Sequence, residues 1–278
     1  MRLLKPLPPG RSFDQIKNHY LVEKSIAERL KKSNREERSL ILATMYDELF
    51  SKVPDHPRLT RRQSEELTSF SNKSKFSMVR KLLNKSVLFV EFAPGDCRFA
   101  FEVAKKVKYL YGIDISDQRN PIDKVLDNFK LIVYDGYNLE QLENNSIDIV
   151  FSDQLIEHFH EEDTRLHFEL VHCILKVGGK YVFRTPHLLT GPHDVSQYFS
   201  YEPECFHLKE WTYTEMKRML MELEYSGFHT YWKAKGMNLR MPNSYFAICE
   251  LVLGQIPKRY IRSVANYIIP SLCGVAIK

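Results

Sequence analysis

Apolar residues fall in two rhythms along this chain. From His19 to about Val53 the positions Leu21, Ile26, Leu30, Leu40, Ile41, Met45, Leu49 and Phe50 recur at helical spacing, with a polar break at Lys32-Ser33-Asn34. The pattern predicts two helices. Val53-Pro54-Asp55-His56-Pro57-Arg58 then forces an extended turn, because each proline turns its predecessor away from helix. A third helix is predicted from Arg62 to Leu83. Standing before the first strand, these helices predict a cap over residues 1–85. After Val87 short apolar runs alternate with helical stretches, which predicts a parallel sheet covered on both faces. The strands are expected at Val87–Phe92, Tyr109–Ile113, Leu131–Tyr134, Ile147–Ser152, Gly179–Thr185 and His229–Lys233, with helices at Phe99–Val107, Asp163–Leu175 and Tyr213–Tyr225. Gly178-Gly179 reads as a helix stop followed by a strand start. A core over residues 86–241 is followed by 242–278, where a closing helix and a last strand at Cys273–Lys278 are expected.

Composition narrows the class without naming it. The chain has 278 residues, 44% hydrophobic and 27% charged, enough for one large core or a core with an appended helical region. No apolar run approaches the roughly 18 residues of a membrane span, and no leader pattern is visible, so a cytoplasmic location is the expectation. Cys97, Cys173, Cys205, Cys249 and Cys273 are scattered and never form a C-x-x-C pair, which predicts reduced thiols. Of the net charge of +5, residues 1–85 carry 19 Lys+Arg against 10 Asp+Glu, whereas the rest is acidic. A basic first third is compatible with nucleic acid, but its cations alternate with glutamates, as on a solvated helical face. The basic, amphipathic run Lys258-Arg259-Tyr260-Ile261-Arg262 fits either a closing helix or contact with a membrane surface.

The candidate chemistry lies where the strands end. In open parallel sheets, ligands bind beyond the carboxyl ends of the strands, where the strand order reverses. Gly95 follows the first strand, and there the backbone can approach a ligand closely. Nineteen residues on, Asp114 ends the second strand and can accept from both hydroxyls of a ribose. Asp135 follows the third strand and suits an exocyclic amine; Ser152-Asp153-Gln154 follows the fourth. Glu91 is a carboxylate inside an apolar strand, which is costly unless paired. His158 follows Glu157 beyond the fourth strand and is the first candidate for a general base, with helix capping or packing under the cap as its structural alternative. The loop from Thr185 to Ser196 offers His187, His193 and Asp194, with His207 beyond, as a base, a substrate clamp or a metal site. Their spacing matches no metal-ligand pattern, and no metal is expected. Among the aromatics, Phe206 and Trp211 are expected to pack, while Tyr198 and Tyr201 stay open for stacking on an acceptor.

Taken in order, these segments resemble the class I S-adenosylmethionine-dependent methyltransferases over about half of the chain. The first-strand motif of that family, E-x-G-x-G-x-G, stands here as Glu91-Phe92-Ala93-Pro94-Gly95-Asp96-Cys97, which keeps the acid and the middle glycine. The resemblance implies an α/β, Rossmann-like sheet with helices on both faces and S-adenosyl-L-methionine as cofactor. It also implies that Glu91 and Gly95 line the methionine end, Asp114 the ribose, and Asp135 and Gly136 the adenine, with Asp153 and Gln154 near the sulfonium and Ala93 and Ile115 also binding the cofactor. Gly191–Glu215 and Tyr46–Arg62 resemble a bacterial subgroup with a helical cap, implying that cap and post-strand loop form one substrate site. A small-molecule or glycan-type acceptor, methylated at oxygen with help from His158 or His193, is the leading expectation. The alternatives are a nucleic-acid methyltransferase, which lacks an Asn-Pro-Pro-Tyr motif after the fourth strand, and a decayed binding module marked by Ala93 and Cys97. A dehydrogenase is poorly served, since its G-x-G-x-x-G positions read Ala93, Gly95 and Arg98.

Overall fold

The computed structural model describes residues 1–61, 65–120, 126–234 and 237–278. Helix α1 (Phe13–Lys32) and helix α2 (Arg35–Lys52) meet at the polar break, and local chemistry explains why. Ser12 and Gln15 form a capping box that starts α1, and Asn34 and Glu37 form a second one that starts α2. A short helix α3 (Pro57–Arg61) follows the proline turn, then α4 (Glu65–Val79). The expected helix from Arg62 begins in residues that lie outside the described ones.

The strands are β1 (Leu88–Phe92), β2 (Tyr109–Asp114), β3 (Phe129–Val133), β4 (Ile147–Asp153), β5 (Leu175–Thr185), β6 (Gly227–Ala234), β7 (Met237–Met241) and β8 (Leu272–Ile277). The helices among them are α5 (Arg98–Ala104), α6 (Glu161–Ile174), α7 (Tyr213–Glu222), α8 (Asn243–Leu253) and α9 (Lys258–Ile268). They build one eight-stranded sheet in the order β3-β2-β1-β4-β5-β8-β6-β7. The five strands from β3 to β5 pair in parallel, whereas β8 runs antiparallel between β5 and β6, and β7 antiparallel to β6. The sheet is therefore mixed. Its parallel half has helices on both faces, so β1 is apolar almost throughout instead of alternating. Val90 and Phe92 join a core with α6 and α7, while Phe89 faces the opposite core with α5 and Val79 of α4.

Three readings are corrected. The sheet is not parallel throughout, because β8, β6 and β7 join antiparallel beyond β5. Gly178-Gly179 does not separate a helix from a strand: α6 ends at Ile174, and the glycines sit inside β5, where the register jumps between the Ile147–Leu175 and Ile149–Lys180 pairs. The reason is a bulge, for which Gly178 supplies a φ of 77°. Strand β7 was not foreseen, because its exposed Met237, Leu239 and Arg240 show little apolar alternation.

Helix α4 lies on the sheet, but α1, α2 and α3 stand apart from it. Ile26, Leu30, Met45, Leu49 and Val53 bury Phe206, and Ile16 and Tyr20 pack against Val195 and Cys205. The cap thus holds the segment between β5 and α7 as much as it holds itself. Phe206 and Trp211 are buried, as packing residues should be. At the other end, α8 and α9 leave Ile248, Leu251, Val252, Tyr260, Val264 and Tyr267 exposed. Two cations of that region are already engaged, Lys258 with Glu202 at 2.5 Å and Arg262 with the carbonyls of Thr190 and Pro192. Among the described residues, no helix is long and apolar enough to cross a membrane.

Candidate active site

Strand order reverses between β1 and β4, and a cleft opens at that rim beneath the cap. Its floor comes from the strand ends. Asp114 closes β2, where its Oδ2 accepts from the Gly95 N–H at 3.1 Å and its Oδ1 from Ser116 N–H at 3.4 Å. Burial raises its pKa, and the Gly95 hydrogen bond opposes that rise. The Ile115 N–H is a third backbone donor to this carboxylate, which leaves it lone-pair capacity for a ligand. Gly95 has φ 58° and Gly136 φ 92°, and a Cβ placed on either would project into open space. These are the two points where backbone lies bare beside Asp114.

The motif's missing glycines leave their conformation behind. Ala93 adopts φ 52° and Cys97 φ 60°, both in the left-handed region that favours glycine. Each costs about 1–2 kcal/mol in an L-residue, so the surrounding fold holds a loop shape that its own side chains resist. Gln154, at φ 59°, is held likewise by its N–H bond to the Arg184 carbonyl at 2.9 Å.

Of the expected site residues, Ala93, Gly95, Asp114, Ile115, Gly136, Gln154 and His158 line this cleft. Four do not. Glu91 lies inside β1, 1% exposed, with Lys75 3.4 Å from Oε1 and no partner for Oε2. Burial raises its pKa to about 7 against the pull of Lys75. Asp135 spends Oδ1 on the N–H groups of Tyr137 and Asn138, a turn-capping role, while the neighbouring Gly136 faces the cleft. Asp153 is held bidentately by Arg184 at 2.6 and 2.7 Å. His193 is exposed, with its Nε2 2.8 Å from Thr190 Oγ1. His187 is fully buried against Glu250 at 2.8 Å, a structural pair.

His158 sits in a 3-10 turn after β4, with Nδ1 2.9 Å from the Phe206 carbonyl, so Nδ1 carries the proton and Nε2 the lone pair. Burial, reinforced by the charge of His207, lowers its pKa to about 3. Burial also raises Glu157 to about 7. His207 goes the other way: burial lowers it, but the Glu210 hydrogen bond and the charges of Glu157 and Asp194 prevail and bring it to about 9. Residues that sequence reasoning missed complete the cleft: Tyr46 of α2, Arg58 of α3, Tyr134, Tyr137, Phe159 and Asp163. Arg58 stacks over the Tyr46 ring at 4.7 Å, placing a permanent cation on the cap side. Asp163 is gripped by the buried Arg38 at 2.7 and 3.0 Å, which ties α2 to α6. The only early signal for the cap residues was the resemblance over Tyr46–Arg62.

Comparison with known proteins agrees with this geometry. The sequence model of a family described as a methyltransferase domain matches residues 90–183. No curated protein matches the chain. Among solved structures, a S-adenosylmethionine-dependent methyltransferase from Archaeoglobus fulgidus is similar at 16% identity and a TM-score of 0.52, over 79% of this chain and 96% of that one. The 1,6-didemethyltoxoflavin-N1-methyltransferase of Burkholderia thailandensis, with its substrate and S-adenosylhomocysteine bound, is similar at 9% identity and a TM-score of 0.54, over 88% of this chain and 91% of that one. Phosphoethanolamine N-methyltransferase 1 of Haemonchus contortus, solved with phosphoethanolamine and S-adenosylhomocysteine, reaches 13% and 0.54, over 88% of this chain and half of that one. Likeness at these identities speaks to the fold.

Residues 90–183 thus carry a methyltransferase domain, set in a mixed Rossmann-like sheet with a cleft at its rim, and S-adenosylmethionine is the cofactor such a domain implies. The cofactor fits the residues present: a carboxylate with spare lone pairs for a ribose, two bare glycines beside it, and aromatic walls at Tyr134 and Phe159 for a planar base.

Proposed function

We propose that the chain methylates a small-molecule or glycan-type acceptor at oxygen, with Asp114, Gly95, Ile115, Gly136 and Gln154 holding the cofactor and His158 taking the proton that the acceptor loses. The observation that carries this reading is that His158 shares one cleft with Asp114 and the two bare glycines. When bound, S-adenosylmethionine supplies an electrophilic methyl group on a sulfonium, and the protein's task is alignment and exclusion of water. Leu42, Met45 and Tyr46 of α2 supply an apolar roof that serves the second task. His158, with a pKa near 3, is a weak base. It takes the proton late, once bond formation has made the acceptor oxygen acidic, so the acceptor enters as a neutral hydroxyl. Arg58 on the cap side favours an acceptor that also carries an anionic group.

The basic first third supports a small acceptor over nucleic acid. Arg11 pairs with Asp55, Lys24 with Glu204, Arg29 with Glu48, and Arg38 with Glu162 and Asp163, so these cations are neutralised within the molecule. Retention of the left-handed loop at Ala93 and Cys97 supports an enzyme over a decayed module.

Calorimetry with S-adenosylhomocysteine tests the first half, with Asp114→Ala expected to weaken binding by about 10- to 100-fold through loss of charged hydrogen bonds. Unchanged affinity in that variant overturns the cofactor site. Screening hydroxylated and anionic acceptors with labelled cofactor tests the second half. His158→Gln should keep cofactor affinity and lower kcat by about 100-fold or more. Full turnover in that variant removes the base.

A further inference from the structure

At the edge of the cofactor cleft lies a cluster of which methyl transfer as proposed uses only His158. Glu157, His158 and His207 each offer one donor atom, and the three atoms lie within 4.8 Å of one another. Glu157 and His158 close the turn after β4, and His207 arrives from the segment that the cap pins in place. Each of the three is also held by a hydrogen bond through one of its polar atoms. The Nδ1 of His158 is committed to the Phe206 carbonyl, and the Nδ1 of His207 lies 2.8 Å from Glu210 Oε1. Glu157 Oε2 accepts from Thr185 Oγ1 at 2.8 Å. Nε2 of His158, Glu157 Oε1 and, once an ion displaces its proton, Nε2 of His207 remain for a ligand.

That Oε1 is the independent observation. Glu157 is 0% exposed, and its Oε1 has no hydrogen-bond partner. A buried carboxylate oxygen without a partner is costly, and something must compensate it. Another unpartnered buried oxygen, Glu210 Oε2, belongs to the carboxylate that orients His207. Metal-binding histidines characteristically donate their other N–H to a backbone carbonyl or a carboxylate, and both forms occur here.

We propose that Glu157, His158 and His207 form a divalent metal site of the two-histidine, one-carboxylate type, suited to zinc or a similar first-row ion. The donor set and its second layer of partners match such sites. His158 lies on the cleft wall, so the site would border the space proposed for the acceptor. An ion there would lower the pKa of an acceptor hydroxyl that reached it. This consequence, though not the site, rests on the oxygen-transfer reading above. Coordination and base action compete for the same Nε2 of His158, so the two roles are separable by experiment.

The test uses the full chain, freed of any histidine tag and stripped with EDTA. Titration with zinc chloride by calorimetry should show one tight equivalent, and cobalt substitution should give visible absorption of a low-symmetry site. Glu157→Gln and His207→Gln should each weaken zinc by about 100-fold or more. His19→Asn, in the separate His19-Glu23-His56 cluster, should leave it unchanged. If either buried variant fails to fold by circular dichroism, His158→Asn at the cleft wall replaces it. The proposal is overturned if no zinc binds, or if binding survives Glu157→Gln and His158→Asn, or if it disappears with His19→Asn. Affinity of the stripped protein for S-adenosylhomocysteine is measured in parallel. Its retention without zinc binding would end the metal site and leave the methyltransferase reading standing.

Discussion

At the residue scale, Gly95 and Asp114 form a pair, joined by the Gly95 N–H to the Asp114 carboxylate, and under the proposed function the two hold the cofactor together. Gly95→Ala is expected to cost about 1–2 kcal/mol in stability, because an L-residue must take φ 58°. The new methyl would also enter the ligand's space, so cofactor affinity should fall further than stability. Denaturant melts and calorimetry on one preparation separate the effects; an unchanged affinity would show that the space is not the cofactor's. Glu91 makes a prediction through pH. Its pKa rises from 4.5 unfolded to about 7 folded. Between those values the folded state holds the extra proton, so this residue makes stability decline as pH rises. Glu91→Gln should therefore flatten the loss of stability from pH 5 to 8, by an amount on the order of 3 kcal/mol. An undiminished slope in denaturation curves would show that Glu91 titrates normally. His158 should leave no limb near pH 6 in kcat/KM, since its proton equilibrium lies near 3. A limb at that pH which disappears in His158→Gln would contradict the buried, neutral ring.

At the scale of elements, one buried guanidinium fastens the cap. Arg38 is 2% exposed and bonds Asp163 twice, Glu162 once and the Ser33 carbonyl at 2.6 Å. It joins the start of α2 to the start of α6, with Tyr137 also on Asp163 at 3.2 Å. Removing one partner of a buried pair strands the other, at about 3–5 kcal/mol. Arg38→Ala should lose stability of that order and also weaken S-adenosylhomocysteine, because Asp163 and Tyr137 line the cleft. Chemical denaturation combined with calorimetry checks both; loss of stability with intact affinity would separate the clamp from the site. The helix boundaries themselves were largely legible, because capping residues such as Asn34 and Glu37 act within one turn. Strand β7 and the bulge in β5 were not, because both depend on what lies across the sheet.

At the scale of the whole molecule, cap and core share clusters through Phe206, Val195 and Cys205, although the sequence pattern divides them at residue 86. A single cooperative unfolding transition is the expected result. S-adenosylhomocysteine at a hundred times its Kd should add about 2.7 kcal/mol to that transition. Two resolved transitions in calorimetric melting, only one of them moved by ligand, would show that the cap folds independently.

Sequence by itself determined the run of elements as far as β5, the α/β class and the strand-end positions of Gly95 and Asp114, since burial periodicity and turn chemistry are local properties of the chain. It also marked Asp135, Asp153 and Glu91 as carboxylates at or near strand ends, but not their fates. Tertiary structure decided those: Arg184 claims Asp153, a turn claims Asp135, and Lys75 stands by a buried Glu91. It also decided that Arg58 and Tyr46 reach the cleft, that β8 inserts between β5 and β6, and that His207 meets Glu157 and His158. Each is a contact between residues far apart in the chain, whose partner is selected by packing of the whole and leaves no trace in local spacing.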